Sequence, residues 1–386
     1  MDGVTNDKWI DKTRRRILLL RILCVVLMVL LLSCTIVFSG SVFSEETFRY
    51  LFRCFDAAGL GQLQNYGTVY CKTAPNAGYG AYTEQLVIWD DRDVQVYDGY
   101  GNCLLSEEHE MQAPAFAAGA SSFLLYENGG SRYTVYQAFS RLYTEQVQGV
   151  IVWADVAREG GYCIVTRMPD GQNAITIYRA HFEKQMIIQK SQPVLFADLS
   201  ADGTRLAVTT YRMETEESVT QVYTVGLEET PEEIRIFGEM PQKTAFDTQN
   251  RLILLTNRAL RCYDNSTEPA LCQTWTGQTL AGSALSGDRI LLILRDAYET
   301  SRTAYTWYAS DGTMLAEATL SGVYRGVAAY GNFCCILTDT TLYGFTQDAQ
   351  KKEIPLITQP LCAQLCAQGD VFLFYEGKAR AVLSLR

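Results

Sequence analysis

The stretch GYGAYTEQLVIWDDRDVQVYD, residues 78–98, lies over TAFDTQNRLILLTNRALRCYD, residues 244–264, without a gap. Each reads as three short strands separated by two polar turns, the third strand ending on a tyrosine, Tyr97 or Tyr263. A fourth strand follows, CLLSEEHE in the first copy and ALCQTW in the second. Self-similarity of this kind marks a repeat architecture.

The closing tyrosine recurs at Tyr136, Tyr178, Tyr223 and Tyr308, with Phe345 in the equivalent place. Upstream of each lies an apolar strand: QLVIW, SFLLY, GYCIV, TRLAV, RLILL, RILLIL and FCCIL. With Leu86, Phe123, Cys163, Leu206, Leu252, Ile290, Cys334 and Phe372 taken as equivalent, the copies recur every 37 to 46 residues. A period of about 40 residues carrying four strands is a β-propeller blade. The chain therefore reads as an all-β propeller of eight blades, with seven, one copy being split or merged, as the alternative. No helical period intervenes between strands, which argues against a parallel α/β sheet. Asp-Gly pairs at 98–99, 170–171, 202–203 and 311–312 are expected in type I′ hairpin turns. The tyrosines are expected to pack between neighbouring blades rather than to form a ligand ring.

The last copy, VFLFY followed by ARAVLSL, has no room for a fourth strand. GTVYCK, residues 67–72, just ahead of the first blade, is of suitable length to supply it. The ring would then close on itself and leave no sheet edge exposed.

Before the propeller the chemistry changes. Residues 17–38, ILLLRILCVVLMVLLLSCTIVF, form an apolar run interrupted only by Arg21. At about 1.5 Å per residue such a helix spans a hydrocarbon layer roughly 30 Å thick. The basic cluster KTRRR precedes it and an acidic pair follows, so a single-pass segment at 17–39 is expected with residues 1–16 cytoplasmic and the propeller outside. A cleaved signal peptide ending near SGS and a lipoprotein site at LLSC are the competing readings. Between membrane and propeller, residues 40–66 contain Phe48, Leu51, Phe52 and Phe55 on one helical face. That stretch, 44–59, reads either as a helix packed on the propeller rim or as an interfacial or partner-binding helix.

Charge narrows the partners. The net charge is −10. Residues 1–21 carry six basic side chains against three aspartates, so the remainder is more acidic still, at −13. A body of that sign repels phosphate backbones, and nucleic acid is not expected as a partner.

A single anchor, an aromatic stretch and a ring of Tyr-ended blades resembles an uncharacterised family of membrane-anchored propeller proteins of clostridial-type Gram-positive bacteria, a domain of unknown function. The resemblance covers nearly the whole chain, implies an exported and tethered propeller, and carries no functional residues across. LSADGTRLAV (199–208) looks like a strand–turn–strand unit of WD-repeat propellers. VQVYDGYGNCLL and YASDGTMLAEA are similar to quinoprotein-type repeats, but only Trp275 sits where those repeats place tryptophan, so no quinone or other cofactor is expected.

Catalytic constellations are scarce. Two histidines, His109 and His181, fall in different copies, which argues against a metal site or a Ser–His–Asp triad. Of the 12 cysteines, Cys24 and Cys34 fall in the apolar run, Cys163, Cys334, Cys335, Cys362 and Cys366 read as small buried apolar side chains, and Cys262 and Cys272, on consecutive strands, are placed to face each other as a disulfide. Acidic loops remain. METEES (213–218) and DAYETSR (296–302) are expected as long connections between second and third strands, on one rim, with LEETPEE (227–233) on the other. Glu214, Glu216, Glu217, Asp296, Tyr298 and Glu299 are the expected binding residues. The leading reading is a non-catalytic extracytoplasmic module binding a protein or cell-envelope component. The alternatives are a hydrolase or lyase using carboxylates at the inner strand ends, where Asp198 and Asp247 are scattered, and a sensor with little room for a cytoplasmic output.

Overall fold

The computed structural model describes residues 25–28, 68–70, 77–98, 101–214, 217–226, 232–264, 267–299, 302–346, 350–366 and 369–385. The chain divides into two compact units, Met1–Leu63 and Gln64–Arg386. In the first, residues 25–28 form a turn of helix with exposed apolar side chains. The rest of the expected membrane segment and the aromatic stretch 44–59 lie outside the described residues. No helix among the described residues is long and apolar enough to cross a membrane.

The second unit is all β. Its strands form eight antiparallel sheets of four strands each. Seven sheets use consecutive strands and span 78–108, 114–146, 150–190, 194–237, 241–274, 278–319 and 324–355, blades 1 to 7. Blade 8 takes strands A, B and C from Cys362–Leu365, Asp370–Tyr375 and Lys378–Ser384. Its strand D is Thr68–Tyr70, from the other end of the sequence. Thr68 pairs with Arg380, Val69 with Ala379 and Tyr70 with Lys378. The closure expected from GTVYCK is therefore present, and the blade number is eight.

Each B strand is buried on both faces, as Leu252–Thr256 and Phe333–Thr338 show along their whole length. A blade packed between two others has no solvent face at that depth, so these strands read as unbroken apolar runs. Outer D strands alternate instead, as in Lys351–Pro355. Eight apolar clusters result, one at every junction between neighbouring blades. An open array of eight blades would have seven junctions. The eighth joins Phe372 and Phe374 of blade 8 to Leu86 and Tyr97 of blade 1.

The repeated tyrosine explains part of this. Tyr97, Tyr136, Tyr178, Tyr223, Tyr263, Tyr308 and Phe345 each sit in the cluster shared with the preceding blade. Burying one such ring contributes roughly 1.5–3 kcal/mol. Tyr178 also stacks on Tyr162, with ring centroids 4.6 Å apart and an interplanar angle of 6°.

Two expectations about turns need correction. The Asp-Gly pairs at 170–171, 202–203 and 311–312 do not form type I′ turns, and Gly99 of the fourth pair lies outside the described residues. The amides of Gly171, Gly203 and Gly312 donate to the carbonyls of Met168, Ser200 and Ala309. Only the glycines adopt positive φ, at 85°, 69° and 92°. Each aspartate keeps negative φ, and its Oδ1 accepts the amide two residues on, at 2.9–3.0 Å. These are type I turns followed by a left-handed glycine, which needs one such position where type I′ needs two. METEES is also not a long loop. Arg205–Glu214 and Glu217–Gly226 are ten-residue strands paired to their tips, where Glu214 opposes Glu217.

Candidate functional site

Connections between B and C strands, and between one blade's D strand and the next blade's A strand, emerge on one rim of a propeller. A–B and C–D connections emerge on the other. The expected acidic residues lie on the B–C rim but on two blades, 4 and 6, with blade 5 between them. Glu216 lies outside the described residues. Glu214 is held by Arg212 and by Arg235, whose Nη2 is 2.7 Å from Oε1 and 2.9 Å from Oε2. That carboxylate braces strands B and D of blade 4 against each other, so its charge is largely spent. Glu217 stands directly opposite across the hairpin. Asp296 caps its loop by accepting the amides of Tyr298 and Glu299 at 2.8 and 3.0 Å. Those two hydrogen bonds hold its carboxyl below the usual carboxylate range. The cap leaves Tyr298 projecting, 93% exposed, beside an exposed Glu299. No hydrogen bond or ion pair among the described residues joins the two loops.

A second feature of this rim was not legible in its charges. Met213, Phe237, Met240, Tyr298, Ile357 and Leu361 are exposed large apolar side chains on it. Val150 and Val323 add to them. Met314 opens the D strand of blade 6 on the opposite rim, and Leu142 and Ile187 are exposed along the D strands of blades 2 and 3. Three of the set adjoin at the tip of blade 4. Met213 pairs with Ser218, Phe237 pairs with Val219, and the Gly238 amide donates to the Ser218 carbonyl two residues before Met240. Below them a polar cleft of about 580 Å³ runs between the outer strands of blades 4 and 5, lined by Arg235, Glu239, Arg261 and Glu268. Arg261 forms a bidentate pair with Glu239, at 2.6 and 2.7 Å.

At the inner strands the structure gathers residues that the sequence scattered. Asp155 and Asp198 occupy equivalent places in the A strands of blades 3 and 4, within WADV (153–156) and FADL (196–199). Each reaches forward to the next blade. Asp155 Oδ2 accepts the Leu199 amide at 2.9 Å, and Asp198 accepts the Thr244 hydroxyl. Burial raises both carboxyls, and the nearby charge of Asp155 pushes Asp198 further up. Lys243, in the A strand of blade 5, is lowered by burial, with Asp198 and then Asp155 opposing that shift. Asp155 and Lys243 went unnoticed in the sequence, although the repeated aromatic-Ala-Asp-aliphatic quartet was a usable signal. Asp247, the other scattered carboxylate, is a turn clamp, 2.6 Å from Arg251 Nε and accepting the amides of Gln249 and Arg251.

Cys262 is a free, buried thiol, pushed up to about 12 by desolvation. Across the hairpin Cys262 pairs with Leu271, whereas Cys272 pairs with Arg261. The expected bridge requires the two to oppose each other, and the backbone register is off by one residue. His109 is lowered by burial and accepts the Met111 amide at Nδ1, while His181 is exposed in a turn.

With this geometry in hand, a family model described as a family of unknown function (DUF5711) matches residues 64–372. The chain belongs to this family. The match spans the propeller almost from its closing strand to the middle of blade 8. No curated protein matches the chain. Among solved structures, Sqt1 of Saccharomyces cerevisiae is similar with a TM-score of 0.53 at 10% identity, covering 82% of this chain and 96% of that one. BamB of Moraxella catarrhalis gives 0.48 at 8% identity, covering 79% and 96%. Hydrazine synthase of Kuenenia stuttgartiensis gives 0.46 at 12% identity, covering 84% and 100%. At these identities the likeness concerns fold alone.

Proposed function

We propose that this member of the DUF5711 family is a binding or scaffold module that docks a protein partner on its B–C rim, and that it works outside the cytoplasm, tethered to the cell membrane by residues 17–39. The observation that carries the docking reading is the one-sided distribution of exposed apolar side chains. Methionine and aromatic residues are the types enriched in the buried centres of interfaces, and isolated ones scattered at random would fall on both rims. The tethering reading rests on the basic residues ahead of an apolar run long enough to cross a bilayer.

The acidic residues of the same rim have a supporting role. Glu217 and Glu299 add negative potential around the apolar centre, which favours a cationic or hydrogen-bonding partner and speeds its encounter at low salt. Photo-cross-linking in the native host tests this. A photoreactive residue at Met240 or Ile357 should give a discrete adduct, and one at Met314 should give none. An adduct from Met314 with nothing from the rim positions would place the interface on the other side. Protease treatment of whole cells should remove the propeller, and its protection would refute the outward orientation.

A further inference from the structure

The D strands are the exposed edges of the blades, and an edge with unpaired backbone groups is a template for another chain. Seven of the eight carry a device that blunts it. Those of blades 1, 2, 3 and 6 are bulged, at Leu104, Leu142, Gln185 and Leu315. Lys351–Pro355 of blade 7 holds two lysines and a proline, and the D strands of blades 5 and 8 are four and three residues long. Blade 4 is the exception. Glu232–Phe237 has six residues, contains neither lysine nor proline, and pairs with strand C without a register shift. Charged side chains also guard edges, but here they are tied within the blade. Glu233 accepts from Gln221 at 2.7 Å, and Arg235 pairs with Glu214.

The pairing fixes what this edge presents. The Gly238 amide donates to the Ser218 carbonyl at 2.8 Å, so the hydrogen-bonded pairs continue along the ladder at Ile236 and Ile234. The backbone groups of Glu233, Arg235 and Phe237 therefore point away from the sheet, and no described residue pairs with them. The cleft of about 580 Å³ follows the same edge, lined by all five residues from Glu233 to Phe237 and by Thr267, Glu268 and Pro269 of blade 5. Walls from two blades favour a single free strand over the edge of a second folded blade. The lining sets the preferred charge. Glu233, Glu239 and Glu268 stand against Arg235 and Arg261, and each arginine already pairs with a carboxylate.

We propose that the edge of Glu232–Phe237 takes an extended, basic segment of a partner protein as a fifth strand of blade 4. The main chain of Glu233, Arg235 and Phe237 hydrogen-bonds the segment, and its lysine or arginine side chains meet the acidic lining. This rests on the reading of the chain as a protein-binding module and adds the partner's conformation and charge.

Fluorescence anisotropy with labelled hexapeptides, on the full-length protein in a zwitterionic detergent, tests it. One probe alternates lysine with valine, one alternates glutamate with valine, and the third is the lysine probe with every amide N-methylated. The lysine probe should bind saturably, and the other two at least tenfold more weakly. Hydrogen exchange should then slow over 232–237 and stay unchanged over 351–355. Arg235→Pro removes an outward amide and spares the ladder to strand C, so it should weaken the lysine probe tenfold or more. Arg235→Ala keeps that amide and should stay within threefold. If Arg235→Pro loses its fold by circular dichroism, the N-methylated probe and the exchange pattern decide. No saturable binding of the lysine probe, equal binding after N-methylation, or protection confined to other segments would overturn the proposal. A dimer of the protein that Arg235→Pro dissolves would also overturn it, by giving the edge to a second copy. Any of these results alongside cross-links from Met240 or Ile357 would remove strand addition alone and leave the rim-docking reading in place.

Discussion

Replacing the inner carboxylates one at a time and then together should produce non-additive stability changes. Asp155 and Asp198 face a single counter-charge, Lys243. With one acid replaced by asparagine, one carboxylate and one ammonium remain, a neutral set. Asparagine can still accept the Leu199 amide or the Thr244 hydroxyl, so each single variant should change stability by about 1 kcal/mol or less at pH 8. With both replaced, the half-buried Lys243 is left without a nearby opposite charge, which costs about 3 kcal/mol. The coupling between the two sites should therefore reach about 1 kcal/mol, beyond the usual scatter of additivity. The pH dependence has a defined sign. Burial raises both carboxyls in the folded state, so the stability tied to their protonated forms is complete below the unfolded carboxylate pKa, about 4. It is lost as pH climbs through the raised folded value. Asparagine mimics the protonated acid at every pH, so each single variant should look most favourable against wild type at pH 8 and least favourable at pH 5. Urea unfolding of the four proteins at both pH values measures all of this. Additive changes within 0.5 kcal/mol, or a single variant indifferent to pH, would refute the shared-charge account.

Tyr178→Ala, at a fully buried and stacked site, should cost about 3–5 kcal/mol, and Tyr308→Ala, partly buried, clearly less, read as thermal midpoints. Equal losses would show that the rings do not act through burial. Deleting residues 67–72 uncovers the outer edge of Lys378–Ser384, so hydrogen exchange should rise in blades 8 and 1 before blades 4 and 5. Uniform exchange would mean that the closing strand is dispensable. Met240→Asp should weaken capture of a cross-linked partner more than Glu299→Lys, because desolvated apolar contacts dominate affinity while rim charges act mainly on association rate. The reverse order would favour a charge-led interface. Reductant should leave the melting temperature unchanged, since Cys262 is free and out of register with Cys272, and a drop on reduction would contradict that pairing.

The architecture was legible because a propeller repeats its physics. Strand B must be apolar on both faces in every blade, and strand C must end in a ring large enough to fill the wedge against the preceding blade. QLVIW and Tyr97 therefore announce the same environment as RLILL and Tyr263. Ring closure was legible from a deficit, a last copy short of one strand. Turn types were not, because an Asp-Gly pair suits both a type I′ turn and a type I turn with a trailing left-handed glycine, and the choice depends on how the flanking strands pair. The disulfide misreading has the same origin. Register, not sequence spacing, decides which cysteines oppose each other, and one residue of offset reverses the answer.

The candidate site was harder to read because its residues are ordinary one by one. Glu214 belongs to an acidic run, and only the fold reveals that Arg212 and Arg235 consume its charge. Met213 sits in one segment and Phe237 and Met240 in another, and the two converge at one hairpin tip. Asp155, Asp198 and Lys243 come from separate blades, and a bulge seats the lysine level with the aromatic residues of its neighbours. A repeat makes equivalent positions easy to find, yet function depends on the position where equivalence fails. At the level after the bulge the series runs Trp153, Phe196, Lys243, Gly282 and Gly326. Two rings, one charge and two glycines, one met by the Tyr324 hydroxyl and the other open, mark a level at which packing does not impose one side-chain volume on every blade. The series breaks where the A strands leave the core, whereas at the seven repeated aromatic positions the period holds and the rings are already spent on the core.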